Sequence, residues 1–245
     1  MKLWIDTDVG TNPDDAIALA LACVHPDITL VGVSTVGDED GRRAAVARDV
    51  VSSLDGNREA VVSGPMFEPR AVRDSGADSL LAIGPLTNVA RVVDEGASPA
   101  RVAVMGGALA PVWHRGAWHE VESNFGADPA AAAYVLAEID VLLVPLDVTA
   151  RICLDDDRRA RLAARADSLR RAVESWEHPV CLHDPVALVA LAGEPFFTVA
   201  LRRLRVDASG RVVEAADGRV HRVVVDADRD AALGRVFQLL NGNRY

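Results

Sequence analysis

The sequence predicts an α/β fold: an open, mostly parallel sheet with helices on both faces, in a single domain spanning residues 1–245. Three observations carry this expectation. Short apolar runs of strand length alternate with stretches of helical period. Strands separated by helices are joined by crossovers, which favours parallel pairing with both sheet faces covered. The 245 residues are 50% hydrophobic, enough for one sizeable core, and no repeat, linker or low-complexity tract divides them.

The elements follow in order. Residues 3–5 form the first strand. Residues 14–24 form a helix with Ala16, Leu19, Ala20 and Val24 on one face, and Pro13 suits its first turn. Residues 28–36 and 41–54 supply the second strand and helix. Further strands are predicted at 59–62, 79–83, 101–105 and 141–145, and helices at 85–94 and 128–139. In the latter, Asp128 is placed as N-cap and Pro129 as the first helical residue. Residues 158–176 and 184–192 read as helices, 199–206 and 219–225 as late strands, and 229–240 as the last helix. Residues 106–121 hold Trp113, His114, Trp118 and His119 without a clear period, as expected of a long functional loop.

Charge and cysteine usage narrow the function. A net charge of -10 argues against nucleic acid and anionic membranes as partners. Arg158, Arg159, Arg161 and Arg165 are interspersed with acids and read as a solvated helix face. Cys23, Cys153 and Cys181 lack CxxC spacing, and their odd number predicts reduced thiols and a cytoplasmic protein. A strand starting by Leu3 leaves no room for a leader, and no apolar run has the length of a membrane span.

The densest chemistry lies at the start, where Asp6, Asp8, Asp14 and Asp15 fall within ten residues. Like charges about 4 Å apart repel by about 1 kcal/mol in water and about 4 kcal/mol at an effective dielectric near 20. Such a group folds comfortably with a cation among its members, with shared protons, or with its carboxylates turned apart. Other polar residues follow predicted strands: Asp38, the segment Gly84 to Asn88, Met105 to Gly107, Glu122 to Asn124, and His183 with Asp184. In open α/β sheets ligands bind beyond the carboxyl ends of the strands, so these positions are consistent with one site.

These motifs identify the chain as similar to the inosine-uridine nucleoside hydrolase family. Asp6-Thr-Asp8-Val-Gly10 followed by Asp14-Asp15-Ala-Ile-Ala-Leu resembles its opening motif, and Ala82-Ile-Gly-Pro-Leu-Thr-Asn88 its GPLTN segment. Val104-Met-Gly-Gly107, Glu122-Ser-Asn124 with Ala127-Asp-Pro129, Pro145-Leu-Asp-Val-Thr149 and Leu182-His-Asp-Pro185 match further segments in order. The resemblance implies hydrolysis of a nucleoside N-glycosidic bond, releasing base and ribose, with a bound calcium ion. It implies Asp8, Asp15, the Thr87 carbonyl and Asp184 as metal ligands, with Asp8 also the general base and Asp6 supporting it. It further implies Asp14, Asp38, Glu122 and Asn124 around the ribose, Met105 beneath the sugar, His183 near the leaving base, and assembly as a homodimer or homotetramer in purine or pyrimidine salvage. Hard oxygen donors of this kind suit calcium, and no competing His/Cys ligand set is expected.

The chain departs from the family pattern in three places. Thr11-Asn12-Pro13 lengthens the opening motif, and residues 64–79 and 149–183 are short. An open pocket, an altered leaving group or help from a neighbouring subunit would follow, with the Trp/His insert compensating: an indole stacked on a base, or a histidine protonating it. The alternative function is a catalytically altered ribose- or nucleoside-binding protein. An aspartate-nucleophile phosphohydrolase using Asp6 is disfavoured, because Lys2 is the only lysine and that chemistry expects one downstream.

Overall fold

The computed structural model describes residues 1–54, 61–64 and 67–241. In chain order the strands are β1 (Lys2–Thr7), β2 (Thr29–Thr35), β3 (Val61–Ser63), β4 (Ser79–Ala82), β5 (Arg101–Met105), β6 (Val112–His114), β7 (Ala117–His119), β8 (Leu142–Val144), β9 (Phe197–Val206), β10 (Val212–Glu214) and β11 (Arg219–Ala227). The helices are α1 (Pro13–Val24), α2 (Arg42–Ser53), α3 (Arg70–Asp74), α4 (Thr87–Asp94), α5 (Ser123–Ala127), α6 (Pro129–Glu138), α7 (Leu146–Thr149), α8 (Asp156–Ala163), α9 (Asp167–Glu174), α10 (His183–Ala192) and α11 (Arg229–Asn241). The strand expected at 59–62 lies partly outside the described residues.

Nine strands form one sheet in the order β10-β9-β11-β8-β5-β4-β1-β2-β3. Pairing is parallel from β11 to β3, and β9 and β10 are antiparallel additions at one edge. The open, mostly parallel sheet predicted from the alternation is therefore present. The chain winds from β1 to β2 and β3, then returns to β4 on the other side of β1. The β1–β4 boundary is thus the topological switch point, where a crevice opens at the carboxyl ends of the strands.

Two apolar clusters sandwich the sheet. One gathers α1, α10 and α11 with Leu3, Ile5 and Val33, and the other gathers α4 and α6 with Trp4, Leu80 and Val104. Every residue of α1 from Pro13 to Ala22 is buried. The helix runs between the sheet and α2, α9, α10 and α11, so the single apolar face read from its sequence extends all round, as expected of a helix without a solvent side.

Two elements differ from expectation. The helix predicted over 158–176 is divided into α8 and α9, with Ala166 extended between them. Arg165 donates from Nε to the Leu240 carbonyl at 2.6 Å, and both pieces turn apolar residues inward, Leu162 from α8 and Leu169 with Val173 from α9. The aperiodic loop contains the hairpin β6–β7. Its two-residue turn, Arg115-Gly116, has φ of 49° and 80°, the positive values that match the twist of a tight hairpin.

The cysteines also require a correction. Cys153 and Cys181 are joined by a disulfide, and Cys23 is free. Their segments run side by side, with Leu154 N–H donating to Val180 O and Leu182 N–H to Ile152 O, both at 2.8 Å. A separation of 28 residues contains no spacing signal for this pairing. No described helix is long and apolar enough to cross a membrane.

Candidate active site

Residues of the switch-point crevice come from seven segments. Asp8, Asn12, Asp14, Asp15, Ile83, Met105, His114, Arg115, Glu122, Asn124, His183 and Asp184 are among those lining it. Helices α1 and α10 pack together and each carries carboxylates in its first turn: Asp14 and Asp15 after Pro13, and Asp184 before Pro185. Acids are favoured at helix N-termini by the exposed N–H groups and the macrodipole. Two such termini meeting here concentrate three buried carboxylates at one point.

Oxygens of Asp14, Asp15 and Asp184 lie within 4.8 Å of one another. Burial, followed by repulsion from Asp8 and Asp14, raises the Asp15 pKa well above the carboxylate range. Asp184 rises for the same reasons, burial first and then Asp14, Asp15, Asp8 and Glu122. Asp14 is pushed up to about 7, mainly by burial, and its Oδ1 is buried without a hydrogen-bond partner. Thr7 Oγ1 donates to Asp15 Oδ1 at 2.5 Å. Donors around one calcium, at about 2.3–2.6 Å each, span no more than about 5 Å. The three carboxylates, one with an orphaned oxygen, therefore fit a hard divalent cation.

Asp8 sits at the mouth, more exposed than these three. Arg43 Nη1 is 3.7 Å from its Oδ2; burial raises the Asp8 pKa and Arg43 opposes the rise. The approach of Asp8 to β4 explains the glycine of the GPLTN segment. A Cβ on Gly84 would lie 2.9 Å from the Asp8 amide nitrogen and 2.9 Å from Val36 Cγ1, so any side chain would push the β1 and β4 ends apart. Asn88 of the same segment ties β1 to β2: its Nδ2 donates to Asp6 Oδ1 at 2.9 Å and to the Thr35 carbonyl at 3.1 Å. Asp6 accepts a further bond of 2.5 Å from Ser34 Oγ, and burial raises its pKa to about 7. It braces the strand ends behind the cleft.

On the opposite wall Glu122 caps α5. Its carboxylate accepts from the backbone N–H of Asn124 at 2.8 Å, Gly107 at 3.0 Å and Phe125 at 3.2 Å. Burial outweighs these bonds and raises its pKa to about 7. Asn124 Nδ2 donates to the Met105 carbonyl at 3.2 Å and to the Ile83 carbonyl at 3.4 Å. A Cβ on Gly106 would meet Phe125 Cε1 at 2.4 Å, so glycine lets the capped turn sit against β5.

Two predicted positions stand apart from the cleft. Thr87 is exposed at the start of α4, where its hydroxyl donates to Asp128 Oδ2 at 2.5 Å. Ile83, four residues earlier at the end of β4, lines the cleft in its place. Asp38 serves α2: it accepts from the N–H of Arg43 at 2.8 Å and of Ala44 at 2.9 Å, and from Thr35 Oγ1 at 2.7 Å. Burial alone would raise its pKa, but these bonds together hold it below the ordinary value. Its carboxylate thus accepts from the start of α2 and the end of β2, and Asp38 is not among the residues lining the cleft.

The hairpin supplies the remaining wall. His114 and His119 line the cleft, whereas Trp113 and Trp118 pair edge to face at 5.6 Å and are 59% and 67% exposed. Alternation along β6 and β7 separates the two sets, so the indoles are not placed for stacking inside the site. His183 meets His114 edge to face at 5.0 Å, and its Nδ1 is 2.8 Å from Thr149 Oγ1. Burial, then His114 and Arg115, depress the His183 pKa to about 3. His114 is lowered to about 4, again first by burial.

Arg115 lines the cleft and is not singled out by the sequence. Among the described residues it is the one non-glycine with positive φ, a conformation that disfavours side chains with a Cβ. Its guanidinium stacks 4.7 Å from the Trp176 ring and feels the charges of Asp14 and Asp184. The signal available in the sequence was an X-Gly pair between two Trp/His dipeptides, a hairpin turn with an unusual first residue.

Comparison with known proteins agrees with this architecture. The sequence model described as inosine-uridine preferring nucleoside hydrolase matches residues 57–236. The chain is 26% identical to a probable uridine nucleosidase 1 of Oryza sativa subsp. japonica, over 85% of this chain and 82% of the relative. It is also 26% identical to a pyrimidine-specific ribonucleoside hydrolase of Enterobacter sp. (strain 638), over 87% of each. A plant nucleoside hydrolase structure superposes with a TM-score of 0.79 at 19% identity, covering 98% of both chains. An inosine-uridine preferring nucleoside hydrolase from Bacillus anthracis gives 0.77 at 20%, again covering 98% of both. With matched segments running from the long stretch after α2 into the last helix, and the same sheet beneath them, the chain belongs to the inosine-uridine preferring nucleoside hydrolase family.

Proposed function

We propose that the protein hydrolyses the N-glycosidic bond of a ribonucleoside, releasing base and ribose, with calcium as its metal. The observation that carries this reading is the meeting of Asp14, Asp15 and Asp184 at one point, with Asp8 beside them and Met105, Glu122 and Asn124 across the cleft. Asp8, Asp15, Asp184 and the Ile83 carbonyl would hold the ion. Bound calcium would supply a polarised water and an anchor for vicinal hydroxyls.

Asp8, at the mouth, takes the proton of the attacking water. Asp14, Glu122 and Asn124 accept and donate hydrogen bonds to the ribose hydroxyls. Loss of a hydroxyl would leave these buried groups unpaired, which selects ribose over deoxyribose. As the base departs, positive charge develops on the sugar, and the surrounding carboxylates stabilise it. Met105 forms the apolar floor under the sugar. His183 stands at the leaving-base end with Arg115, which offsets negative charge building on the base.

Relatives named as a probable uridine nucleosidase and a pyrimidine-specific ribonucleoside hydrolase support pyrimidine ribonucleosides as substrates, uridine first, and we place the activity in nucleoside salvage. The test is release of base and reducing sugar from uridine, cytidine, inosine and 2′-deoxyuridine with calcium, repeated after chelation. We expect cleavage of ribonucleosides that chelation abolishes and calcium restores. Nucleoside binding in calorimetry without any product from the panel would instead mark a binding protein, and overturn the hydrolase reading.

A further inference from the structure

One wall of the cleft carries a second ligand set of a different kind. Coordinating atoms of His114, Cys181 and His183 lie within 4.8 Å of one another. His114 Nε2 is buried without a hydrogen-bond partner. His183 Nδ1 is 2.8 Å from Thr149 Oγ1, and that hydroxyl can donate onward to the Pro145 carbonyl at 3.4 Å. In this chain of bonds Nδ1 carries the His183 proton and Nε2 keeps its lone pair, the arrangement typical of a metal-binding imidazole with an outer hydrogen bond. Cys181 lies two residues before His183 and is held in the disulfide with Cys153.

We propose that reduction of the Cys153–Cys181 disulfide creates a second metal site, in which the Cys181 thiolate and the His114 and His183 imidazoles bind a thiophilic divalent cation of the zinc class. A dithiol or phosphine supplies the two electrons. The S–S bond breaks, each sulfur gains a proton to become a thiol, and the reductant is oxidised to its own disulfide or phosphine oxide. On binding, Cys181 releases its proton to solvent and the metal keeps a water as fourth ligand. Two nitrogens and one sulfur suit zinc in tetrahedral geometry, with bonds of about 2.0–2.3 Å. The donors, already within 4.8 Å of one another, need only settle at about 3.5 Å. The carboxylate cluster offers oxygen only, so the two sets select different ions.

The consequence for catalysis rests on the hydrolase reading, but the site does not. A cation on His183 removes that imidazole from the leaving base, so zinc inhibits the reduced enzyme and spares the oxidised one.

The decisive experiment uses Co2+ as a spectroscopic probe, on full-length protein held in millimolar calcium so that the carboxylates are occupied. After phosphine reduction all three cysteines should titrate as thiols. One equivalent of Co2+ should then give a thiolate-to-cobalt charge-transfer band in the near ultraviolet with tetrahedral visible bands. Oxidised protein should give no such band. Cys181→Ser should abolish it, and His114→Ala should weaken cobalt affinity about tenfold or more. Cys153→Ser, which leaves Cys181 unpaired, should show the band with no reductant, and circular dichroism will confirm that each variant is folded. The proposal is overturned by a folded Cys153→Ser protein without the band, by a band that survives Cys181→Ser, or by a disulfide that yields its thiols only on unfolding. Active enzyme that zinc fails to inhibit, with an intact cobalt spectrum, would count only against the placement of His183 at the leaving base, whereas absence of any turnover would count against the hydrolase reading and leave the metal site standing.

Discussion

The two walls of the cleft are built in opposite ways. The acidic wall stands on the first turns of α1 and α10, helices buried along nearly their whole length against the sheet. The hairpin wall is a two-stranded ribbon outside that sheet, with an exposed tryptophan pair on its back. On the first, carboxylates that repel one another are held in place by the core, and the proposed cation would answer their repulsion. On the second, imidazoles, a guanidinium and a disulfide-bonded sulfur are brought together by a tight turn and one isolated bridge between Cys153 and Cys181. The core fixes the chemistry of one wall, whereas a few local contacts decide that of the other. Change should accordingly be costly to activity on the acidic side and should tune specificity or regulation on the hairpin side.

The largest effect is expected at Asp8. Asp8→Asn removes the proposed base and should lower kcat by about 10²–10⁴-fold with little change in Tm, because the side chain stands at the mouth rather than in the core. Wild-type turnover by this variant would show that another group takes the proton. Metal should come next. Calcium at a hundred times its Kd should stabilise the fold by about 2.7 kcal/mol, read as a rise in Tm that Asp184→Asn abolishes. A calcium-independent Tm would separate the carboxylate wall from any metal role.

The pH dependence follows from the same wall. Asp6 and Asp14 rise from 3.8 to about 7, and Glu122 from 4.5 to about 7, chiefly through burial. The folded state therefore holds protons that the unfolded chain has already released. Without metal, stability should fall as pH rises from about 4 to about 7 and level off above. Calcium should flatten that slope by favouring the ionised carboxylates around it. Melting curves across this range, with and without calcium, check the sign.

Smaller effects are expected away from the carboxylates. Arg115→Ala should reduce kcat/KM about tenfold while leaving the calcium-induced Tm shift in place, since Arg115 belongs to the hairpin. An unchanged kcat/KM would leave the hairpin without a part in turnover. Asp38→Ala should cost about 1 kcal/mol of stability through loss of first-turn hydrogen bonds in α2, read by urea denaturation. KM for the ribonucleoside should not move; a raised KM would return Asp38 to the sugar site.

Much of the fold was legible in local pattern. β5 occupies the predicted 101–105, and Asp128 caps α6 as expected, accepting from Ala131 N–H at 3.0 Å. Asp8, Asp14, Asp15, Met105, Glu122, Asn124, His183 and Asp184 were all placed in one site in advance, and all line one cleft. Two expected positions are not among the residues lining the cleft: Thr87, expected through its backbone carbonyl, begins α4, and Asp38 accepts from the backbone at the start of α2. The split of the 158–176 helix depends on Arg165 reaching Leu240, a partner far along the chain.

Residue type and periodicity alone settled which segments become strands, which become helices, and which acids a helix start would carry, because those preferences act within a few residues. Assembly decided the rest: which carboxylates share one point, that Arg115 faces them from a strained turn, and that Cys153 meets Cys181 beside two histidines. Such juxtapositions arise between segments tens of residues apart, where no local preference operates and only the closing of the sheet and its covering helices brings the groups within reach.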